Sequence, residues 1–424
     1  MKRLLTGLAL VLFTAAFTVF PLRAAELPSV KPEQVGLSTE QLARIDAVVN
    51  DYIARERVAG TVSLVLRDGK VAWLKAHGYQ DREKNMPMPK DAIFRICSMS
   101  KPITSVAVIM LYEEGRFMLS DPVSKFIPEF KNPRVLKRTS TEETYTVPAD
   151  NEITIRNLLT HSSGLTYHWN PELGALYQEN AIGHGVKKET LTLGESIKRL
   201  ARLPLLFNPG ERYEYSLSID VLGYLVEVVS GMPFAEFLRS RIFKPLGMED
   251  TQFFVPESKL GRLATAYTWY EGQGLNRFPD QPIVEASFSY DADYPYNGQK
   301  IYQSGGGGLC STAHDYARFS QMLLNGGELD GVRLLSPKSV ELMTAVQVET
   351  PDPGGDFGLG FGIQTALREI GSVGQYGWGG FYNTRFFIDP KERLIGIIMS
   401  QLHPTGGMQL LDQFEVLVYQ AIVK

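Results

Sequence analysis

The chain has 424 residues, of which 44% are hydrophobic and 21% are charged, and its formal net charge is −4. This composition is that of an ordinary globular protein, long enough for one large domain or two closely packed domains. The chain has no basic block and no basic–aromatic stripe, which argues against nucleic acid as a partner.

The N-terminal segment has the pattern of a secretory signal peptide. A basic start, Lys2 and Arg3, precedes an apolar run over 4–20, and Ala24 follows. These are the charged, apolar and small-residue regions of an export signal. We expect cleavage after Ala24, because Arg23 is poorly placed for a cut one residue later. The mature protein would then be periplasmic or secreted. The alternative is an uncleaved membrane anchor, although the run is short for a bilayer span of about 20 residues. Elsewhere no apolar stretch is long enough to span a membrane.

Regular elements begin after this segment. Apolar residues at helical spacing over 38–57, with Ser38 at the N-cap position, predict an amphipathic helix. Two runs rich in β-branched and apolar residues follow over 60–79 and flank Asp68-Gly69, which is a strong hairpin signal. The N-terminal part therefore predicts one helix and a pair of strands.

The middle of the chain has a different character. The segment 265–303 is irregular and rich in aromatic residues, and long irregular segments in compact proteins usually form functional walls or lids. We expect this segment to shape substrate preference. The rest of the middle predicts helices separated by Pro- and Gly-rich loops, over 102–115, 155–160, 193–203, 219–231 and 233–243.

The C-terminal part returns to strand signals. Two β-rich runs over 383–401 flank an Asp-Pro turn, and an apolar helix is expected over 407–422. Strands at both ends with helices between them predict two units. One is an α/β sheet domain built from 25–110 and 305–424, and the other is an inserted, mostly helical domain over 111–304.

The strongest local candidate for chemistry is Ser98-Met99-Ser100-Lys101, an S-x-x-K pattern directly ahead of a run that is apolar nearly all round. Pro102 is favoured in a first helical turn, so we expect Ser98 at the N-terminus of a buried helix and Lys101 one turn further on. The positive helix end would stabilise an alkoxide on Ser98, and a lysine in a dry site can accept its proton. By itself the pattern also fits a capping serine beside a solvated lysine.

Two further blocks contain residues suited to assist such a serine. Tyr215 precedes a predicted helix, and a tyrosine beside a lysine ammonium is stabilised as the phenolate that could deprotonate a serine. Glycines surround Trp378 ahead of a strand, where a ligand could approach the backbone and an N–H could face an oxyanion. The alternatives are a half-buried aromatic at a helix start and a glycine-rich turn.

In this order, the blocks resemble the serine β-lactamase and penicillin-binding superfamily, and most closely class C β-lactamases and family VIII carboxylesterases. The resemblance covers nearly the whole chain after the predicted signal peptide. It implies an α/β (α+β) fold with an antiparallel sheet flanked by helices, an inserted mostly helical domain, and an active site at their interface. Besides S-x-x-K, the matching segments are 153–165, 209–216, 305–327 and 378–390.

The resemblance implies roles for individual residues. Ser98 matches the position of the family's acylated nucleophile. Lys101 and Tyr215 match the two residues that together act as its general base, and Tyr215 is implied to donate a proton later to the leaving group. The backbone N–H groups of Ser98 and Phe381 are implied to form the oxyanion hole. No metal or organic cofactor is implied.

Two departures from the family pattern resemble the esterase branch. The family's Tyr-x-Asn is Tyr215-Ser216-Leu217 here, which lacks the amide that grips a β-lactam side chain. Where β-lactamases and peptidases have Lys-Thr-Gly, this chain has Trp378-Gly379-Gly380, and the resemblance implies that this triplet borders the substrate. The triplet lacks the lysine cation that would bind a carboxylate of the substrate. Asp220 after Y-S-L-S also matches that branch. The resemblance therefore implies a carboxylesterase acting on small, short to medium apolar esters.

Several alternatives stay open at this stage. A β-lactamase or D-alanyl-D-alanine carboxypeptidase would use the same acyl-enzyme chemistry, and a non-catalytic binding or sensor module could keep the fold. The segment 160–164, "THSSG", contains a histidine but is expected to be a helix C-cap turn at Gly164. Cys97 and Cys310 are expected to be buried free thiols, although export would permit them to pair. The oligomeric state is not indicated.

Overall fold

The framework of the protein is one antiparallel sheet whose strands come from both ends of the chain. The structure is a computed structural model that describes residues 26–141, 143–351, 355–367 and 370–424, so the predicted signal peptide, 1–24, lies outside the described residues. In chain order its strands are β1 (Gly60–Arg67), β2 (Lys70–Asp81), β3 (Met86–Pro87), β4 (Gly355–Phe357), β5 (Gly362–Gln364), β6 (Tyr376–Gly380), β7 (Thr384–Asp389) and β8 (Leu394–Met399). The order across the sheet is β4-β5-β6-β7-β8-β1-β2-β3.

The two predicted hairpins are confirmed and lie side by side at the centre of the sheet. They are β1–β2 and β7–β8, joined by antiparallel pairing of β1 with β8. Every residue of β1 is buried, because helices cover both faces of the sheet. Successive side chains of a strand point to opposite faces, so Leu64 enters one apolar core and Val65 enters the other.

The predicted helices are also confirmed, with ends that differ by a few residues. The first and the last helix cover one face of the sheet, whereas the helices Ser100–Glu113 and Ala313–Leu324 cover the other. The helices are α1 (Thr39–Ala54), α2 (Ser100–Glu113), α3 (Ile155–Leu159), α4 (Gly174–Glu179), α5 (Leu193–Leu200), α6 (Ser218–Ser230), α7 (Phe234–Leu238), α8 (Lys244–Leu246), α9 (Ala313–Leu324), α10 (Pro337–Thr344) and α11 (Leu410–Tyr419).

The segment 265–303 is more regular than its sequence predicts. It contains two small hairpins, and left-handed glycines, Gly272 and Gly274, allow the first of them to turn. The hairpins pair Tyr267–Tyr270 with Gly274–Arg277 and Ile283–Glu285 with Phe288–Tyr290. Three further short pairs join Phe94–Arg95 to Cys310–Ser311, Arg134–Arg138 to Thr144–Pro148, and Glu328–Leu329 to Val332–Arg333.

Helix α2 is the central element of the molecule. Its residues from Ser100 to Leu111 are all buried, as its sequence predicts, and it packs against α6. All eight strands of the main sheet lie within the two ranges assigned to the sheet domain, but the largest apolar core contains side chains from both assigned units. The division into two domains stays a prediction. In the described part of the chain, no single helix is long and apolar enough to cross a membrane, and Ser218–Ser230 and Phe234–Leu246 meet that test only together, across an 80° bend.

Candidate active site

Ser98 lies in a tight turn at the N-terminal end of α2. The short strand Phe94–Arg95 leads into one 3₁₀ turn, Cys97–Met99, and α2 begins at the next residue. Cys97 has a φ of +43°, a left-handed conformation that is costly for a residue with a side chain. The turn leaves Ser98 partly exposed on a cleft, beside the positive end of α2.

Lys101 is fully buried, and its side-chain nitrogen contacts three oxygen atoms. Nζ lies 3.2 Å from Ser98 Oγ, 3.0 Å from Tyr167 Oη and 2.7 Å from the carbonyl oxygen of Gly306. Lys101 Nζ donates hydrogen bonds to all three oxygen atoms, and its contact with Ser98 Oγ is the path along which a proton could pass between the two side chains. The structure thus brings the two predicted residues together in a geometry suited to proton transfer.

Tyr167 is a residue of the site that the sequence analysis did not identify. It lies in the loop between α3 and α4, and its hydroxyl accepts the hydrogen bond from Lys101. Burial, together with the neighbouring Tyr215 and Asp220, raises the pKa of Tyr167 well above its ordinary value, so it stays a neutral phenol. The only signal in the sequence was its closeness to the segment 160–164, since a single tyrosine forms no pattern.

Tyr215 lies over Lys101 but makes its hydrogen bond elsewhere. Nζ of Lys101 is 4.5 Å from the centre of the Tyr215 ring, and Trp378 Nε1 donates to Tyr215 Oη at 3.3 Å. Among the described residues, Lys101 donates to Tyr167 and not to Tyr215. The structure therefore brings Tyr215 to the site, and its role as general base together with Lys101 stays a prediction.

Gly380, the residue before Phe381, lets the end of β6 approach the turn that carries Ser98 because it has no side chain. A Cβ at Gly380 would lie 2.4 Å from the carbonyl oxygen of Ile96, so only glycine lets the end of β6 approach this turn. Ser98 and Phe381 line the same cleft, and the assignment of their amides to an oxyanion hole stays a prediction.

Trp378 forms one side of the cleft, beside Tyr215. Its indole makes an edge-to-face contact with Phe357, with ring centres 5.1 Å apart. A Cβ at Gly362 on the neighbouring strand would lie 2.9 Å from the indole, so this glycine makes room for it. In the predicted substrate-binding triplet Trp378-Gly379-Gly380, Trp378 therefore presents an apolar surface to the cleft. Gly379 presents only its backbone.

A buried carboxylate, Asp220, holds the turn that binds Lys101. The Ser304 hydroxyl donates to Asp220 Oδ1 at 2.6 Å, and the Gly307 amide donates to Ser304 Oγ at 2.9 Å. These bonds fix the carbonyl group of Gly306 that accepts from Lys101. Burial raises the pKa of Asp220 to about 6, although Ser304 and Lys101 favour its ionised form.

We expect Asp220 to make stability depend on pH. Its pKa is about 6 in the folded protein and about 4 in an unfolded chain, so the folded state holds the proton more tightly. The free energy of unfolding should therefore fall as pH rises from about 4 to about 6. Relative to Asp220→Asn, which cannot titrate, the wild type should lose about 2 kcal/mol over this interval. Urea unfolding of both proteins across this pH range measures the difference, and a constant difference would contradict the assignment.

His161, in the segment 160–164, supports Tyr215 rather than reacting itself. Its Nδ1 accepts from the backbone N–H of Ser216 at 3.2 Å, and its ring packs 4.9 Å from that of Tyr215. Burial lowers the pKa of His161 well below its ordinary value, so the ring is neutral. The segment is structural, as predicted, but the helix ends earlier than expected, at Leu159, and not at a cap on Gly164.

Both cysteines are buried and free, as predicted. Burial raises the pKa of Cys97 to about 11 and that of Cys310 to about 12. A thiol attacks as its thiolate, so neither side chain is a nucleophile near neutral pH. Cys97 Sγ lies 3.8 Å from Tyr294 Oη and is a packed neighbour of Ser98.

The cleft at Ser98 has a volume of about 1280 Å³ and reaches from Trp169 along β6 to α11. Its wall near Ser98 consists largely of aromatic side chains. Within the described ranges, no three His, Cys, Asp or Glu side chains lie close enough together to hold a metal ion.

Known proteins share both the fold and the extent of this chain. A family model described as Beta-lactamase matches residues 45–420. Esterase EstB of Burkholderia gladioli is 32% identical over 389 residues, which are 89% of this chain and 94% of the esterase. Protein Rv1367c of Mycobacterium tuberculosis is 34% identical over 366 residues, which are 82% of this chain and 86% of that protein.

A solved structure agrees with these matches. EstCE1, a hydrolase with promiscuous acyltransferase activity, superposes with a TM-score of 0.78 at 29% identity, over 90% of this chain and 99% of its own. The large antiparallel sheet with flanking helices is common to both. The chain therefore belongs to the β-lactamase family.

Proposed function

We propose that this protein is a serine carboxylesterase that hydrolyses uncharged, apolar esters through an acyl-enzyme on Ser98. The observation that carries the proposal is the buried Lys101 nitrogen 3.2 Å from the Ser98 hydroxyl, next to a cleft walled by Tyr215 and Trp378. The similarity to Esterase EstB, at 32% identity, and to the hydrolase EstCE1, at 29%, supports the same activity.

Acylation begins with the Ser98–Lys101 pair. Lys101 accepts the hydroxyl proton while Ser98 Oγ attacks the ester carbonyl carbon. The amides of Ser98 and Phe381 stabilise the negative charge on the carbonyl oxygen, aided by the positive end of α2. The bond to the alcohol then breaks, and Tyr215 donates its phenolic proton to the departing oxygen. The Lys101 ammonium then returns a proton to Tyr215, which requires Nζ to shift from its place 4.5 Å from the centre of the Tyr215 ring towards Oη.

Deacylation repeats these steps with water. Lys101 takes a proton from water as the water oxygen, oriented by the Tyr215 hydroxyl, attacks the acyl-enzyme carbonyl, and the same two amides hold the oxyanion. The bond to Ser98 Oγ breaks, and the serine recovers its proton from Lys101. The carboxylic acid is released and the site returns to its starting state.

The charges around the cleft favour a neutral substrate. Trp378 and Phe386 are cross-strand neighbours and share the face of the sheet that carries Ser98, whereas Arg385 pairs with Gly379 and faces the other side. Arg385 is held there by Asp412 at 2.6 Å. Arg385 also lines the cleft, but it lies on the opposite face of the sheet from Trp378, so it is not placed to bind a substrate carboxylate beside Ser98.

A panel of chromogenic substrates tests the proposal. We expect kcat/KM for p-nitrophenyl butyrate to exceed that for nitrocefin at least about tenfold, because a lost hydrogen bond to a charged group costs about 1.5–3 kcal/mol. Faster turnover of nitrocefin would favour a β-lactamase or D-alanyl-D-alanine carboxypeptidase. Turnover of neither compound would favour a binding module.

We also propose that the protein is exported, on the basic and apolar pattern of its first 24 residues. The N-terminal residue of the protein purified from its natural source should then be Ala25. An intact N-terminal sequence recovered with the membrane fraction would favour an anchor instead.

A further inference from the structure

An exposed tryptophan lies in the cleft at Ser98, separated from Lys101 by one ring. Trp169 is 48% exposed and lines the same cleft as Ser98. The indole stacks on the buried ring of Tyr167, with ring centres 4.3 Å apart and planes 22° from parallel, and the hydroxyl of Tyr167 is the one that binds Lys101. A flat apolar surface is thus held against the residues that perform the proposed chemistry, with about half of its area open to a ligand.

Two more rings connect Trp169 with the predicted oxyanion hole: Phe288, which is buried, and Phe381, which lines the cleft. Phe288 meets Trp169 edge to face, with centres 5.2 Å apart and planes at 72°. Phe381, whose amide is predicted to bind the oxyanion, meets Phe288 in the same way at 5.8 Å and 67°. We call Trp169, Phe288 and Phe381 the aromatic wall.

The aromatic wall is backed by neutral groups. His168 and His184 pack against Phe288, and His403 stacks on Phe381 at 3.7 Å. Burial lowers the pKa of His168 and of His403 to about 4, and it lowers the pKa of His184 well below its ordinary value. All three rings are therefore uncharged near neutral pH, so they offer no cation to an acidic ligand.

We propose that the aromatic wall binds a planar aromatic ring of the ester, stacked on the open face of Trp169, so that aryl-bearing esters are preferred over saturated ones of equal size. The inference rests on the proposed carboxylesterase function. Aromatic pairs gain binding energy beyond the apolar area that they bury, and the half-exposed Trp169 offers a ring on which a second ring can stack. A puckered cyclohexyl ring buries a similar area but cannot stack.

Matched esters that differ only in this ring test the proposal. Ethyl 3-phenylpropanoate is compared with ethyl 3-cyclohexylpropanoate, and benzyl butyrate with cyclohexylmethyl butyrate. The first pair places the ring on the acid and the second on the alcohol. We expect kcat/KM to be about 3- to 10-fold higher for the aromatic member of at least one pair. Trp169→Leu should reduce that ratio to nearly 1, and Trp169→Phe should retain most of it.

Tyr145 supplies a matched control, because it is 49% exposed and does not line this cleft. Tyr145→Leu should leave the ratio unchanged. Equal rates within both pairs, or a ratio that is unchanged in Trp169→Leu, would overturn the role of the aromatic wall. Hydrolysis of ethyl butyrate in the same assays would show that the carboxylesterase function itself is retained. If the wild type hydrolyses none of these esters, the proposed function itself fails.

Discussion

Ser98→Ala is expected to abolish ester hydrolysis, lowering kcat by about 10⁴-fold or more. The reason is chemical, because no acyl-enzyme forms without Oγ and the oxyanion donors alone give little acceleration. Circular dichroism and thermal unfolding should match the wild type, since Ser98 is partly exposed and alanine fits its turn. The measurement is hydrolysis of p-nitrophenyl butyrate by purified protein.

The S-x-x-K pattern contains its own control. Ser100 is fully buried, and its hydroxyl accepts a hydrogen bond from the Leu309 amide at 3.1 Å, so Ser100→Ala should lower stability but leave kcat largely intact. Intact-mass analysis after treatment with a fluorophosphonate should show one adduct, and peptide mapping should place it on Ser98. An adduct on Ser100, or activity that persists in Ser98→Ala, would show that the nucleophile is another residue.

Lys101→Met is expected to lower kcat by about 10³-fold, with a smaller effect on KM. The substitution keeps the length and apolar stem of the side chain but removes the atom that accepts the Ser98 proton, and general base catalysis typically contributes 10²- to 10⁴-fold. The predicted contacts with substrate, through Trp378 and backbone, should be unchanged. Steady-state kinetics with p-nitrophenyl butyrate separates the two parameters.

Tyr167→Phe is the matched control for this variant. It removes one of the three oxygen atoms around Lys101 and leaves the other two at 3.2 and 2.7 Å, so we expect a drop in kcat of only about tenfold. If Lys101→Met retains more than a tenth of the wild-type kcat, Lys101 is not the base. A loss in Tyr167→Phe as large as that in Lys101→Met would assign the proton transfer to the tyrosine.

The elements that local patterns specify were predicted well. The hairpin at Asp68-Gly69 and the buried helix after Lys101 depend on residues close together in the chain, because turn chemistry and helical periodicity act over a few positions. The small hairpins within 265–303 were missed, since each strand has only three or four residues and its turn signals lie among other polar loop residues.

In the candidate site, too, only the residues that are close together in the chain follow from a local pattern. Ser98 lies in the 3₁₀ turn that leads into α2, and Lys101 lies three positions further on in the first turn of α2, so their juxtaposition follows from helical geometry. Tyr215 and Trp378 are predicted as site residues only through resemblance to a family, and the structure brings both to the cleft. Tyr167 has no pattern of its own.

The amino-acid sequence by itself determined the elements, the Ser98–Lys101 pair and, through resemblance, the family. Only the tertiary structure decided which groups surround that pair: the carbonyl of Gly306 and the hydroxyl of Tyr167 on Lys101, and the aromatic wall beside Ser98. The physical reason is that these contacts join residues far apart in the chain. Their distances depend on how α2, α6 and the intervening loops pack, and that packing is a property of the whole apolar core.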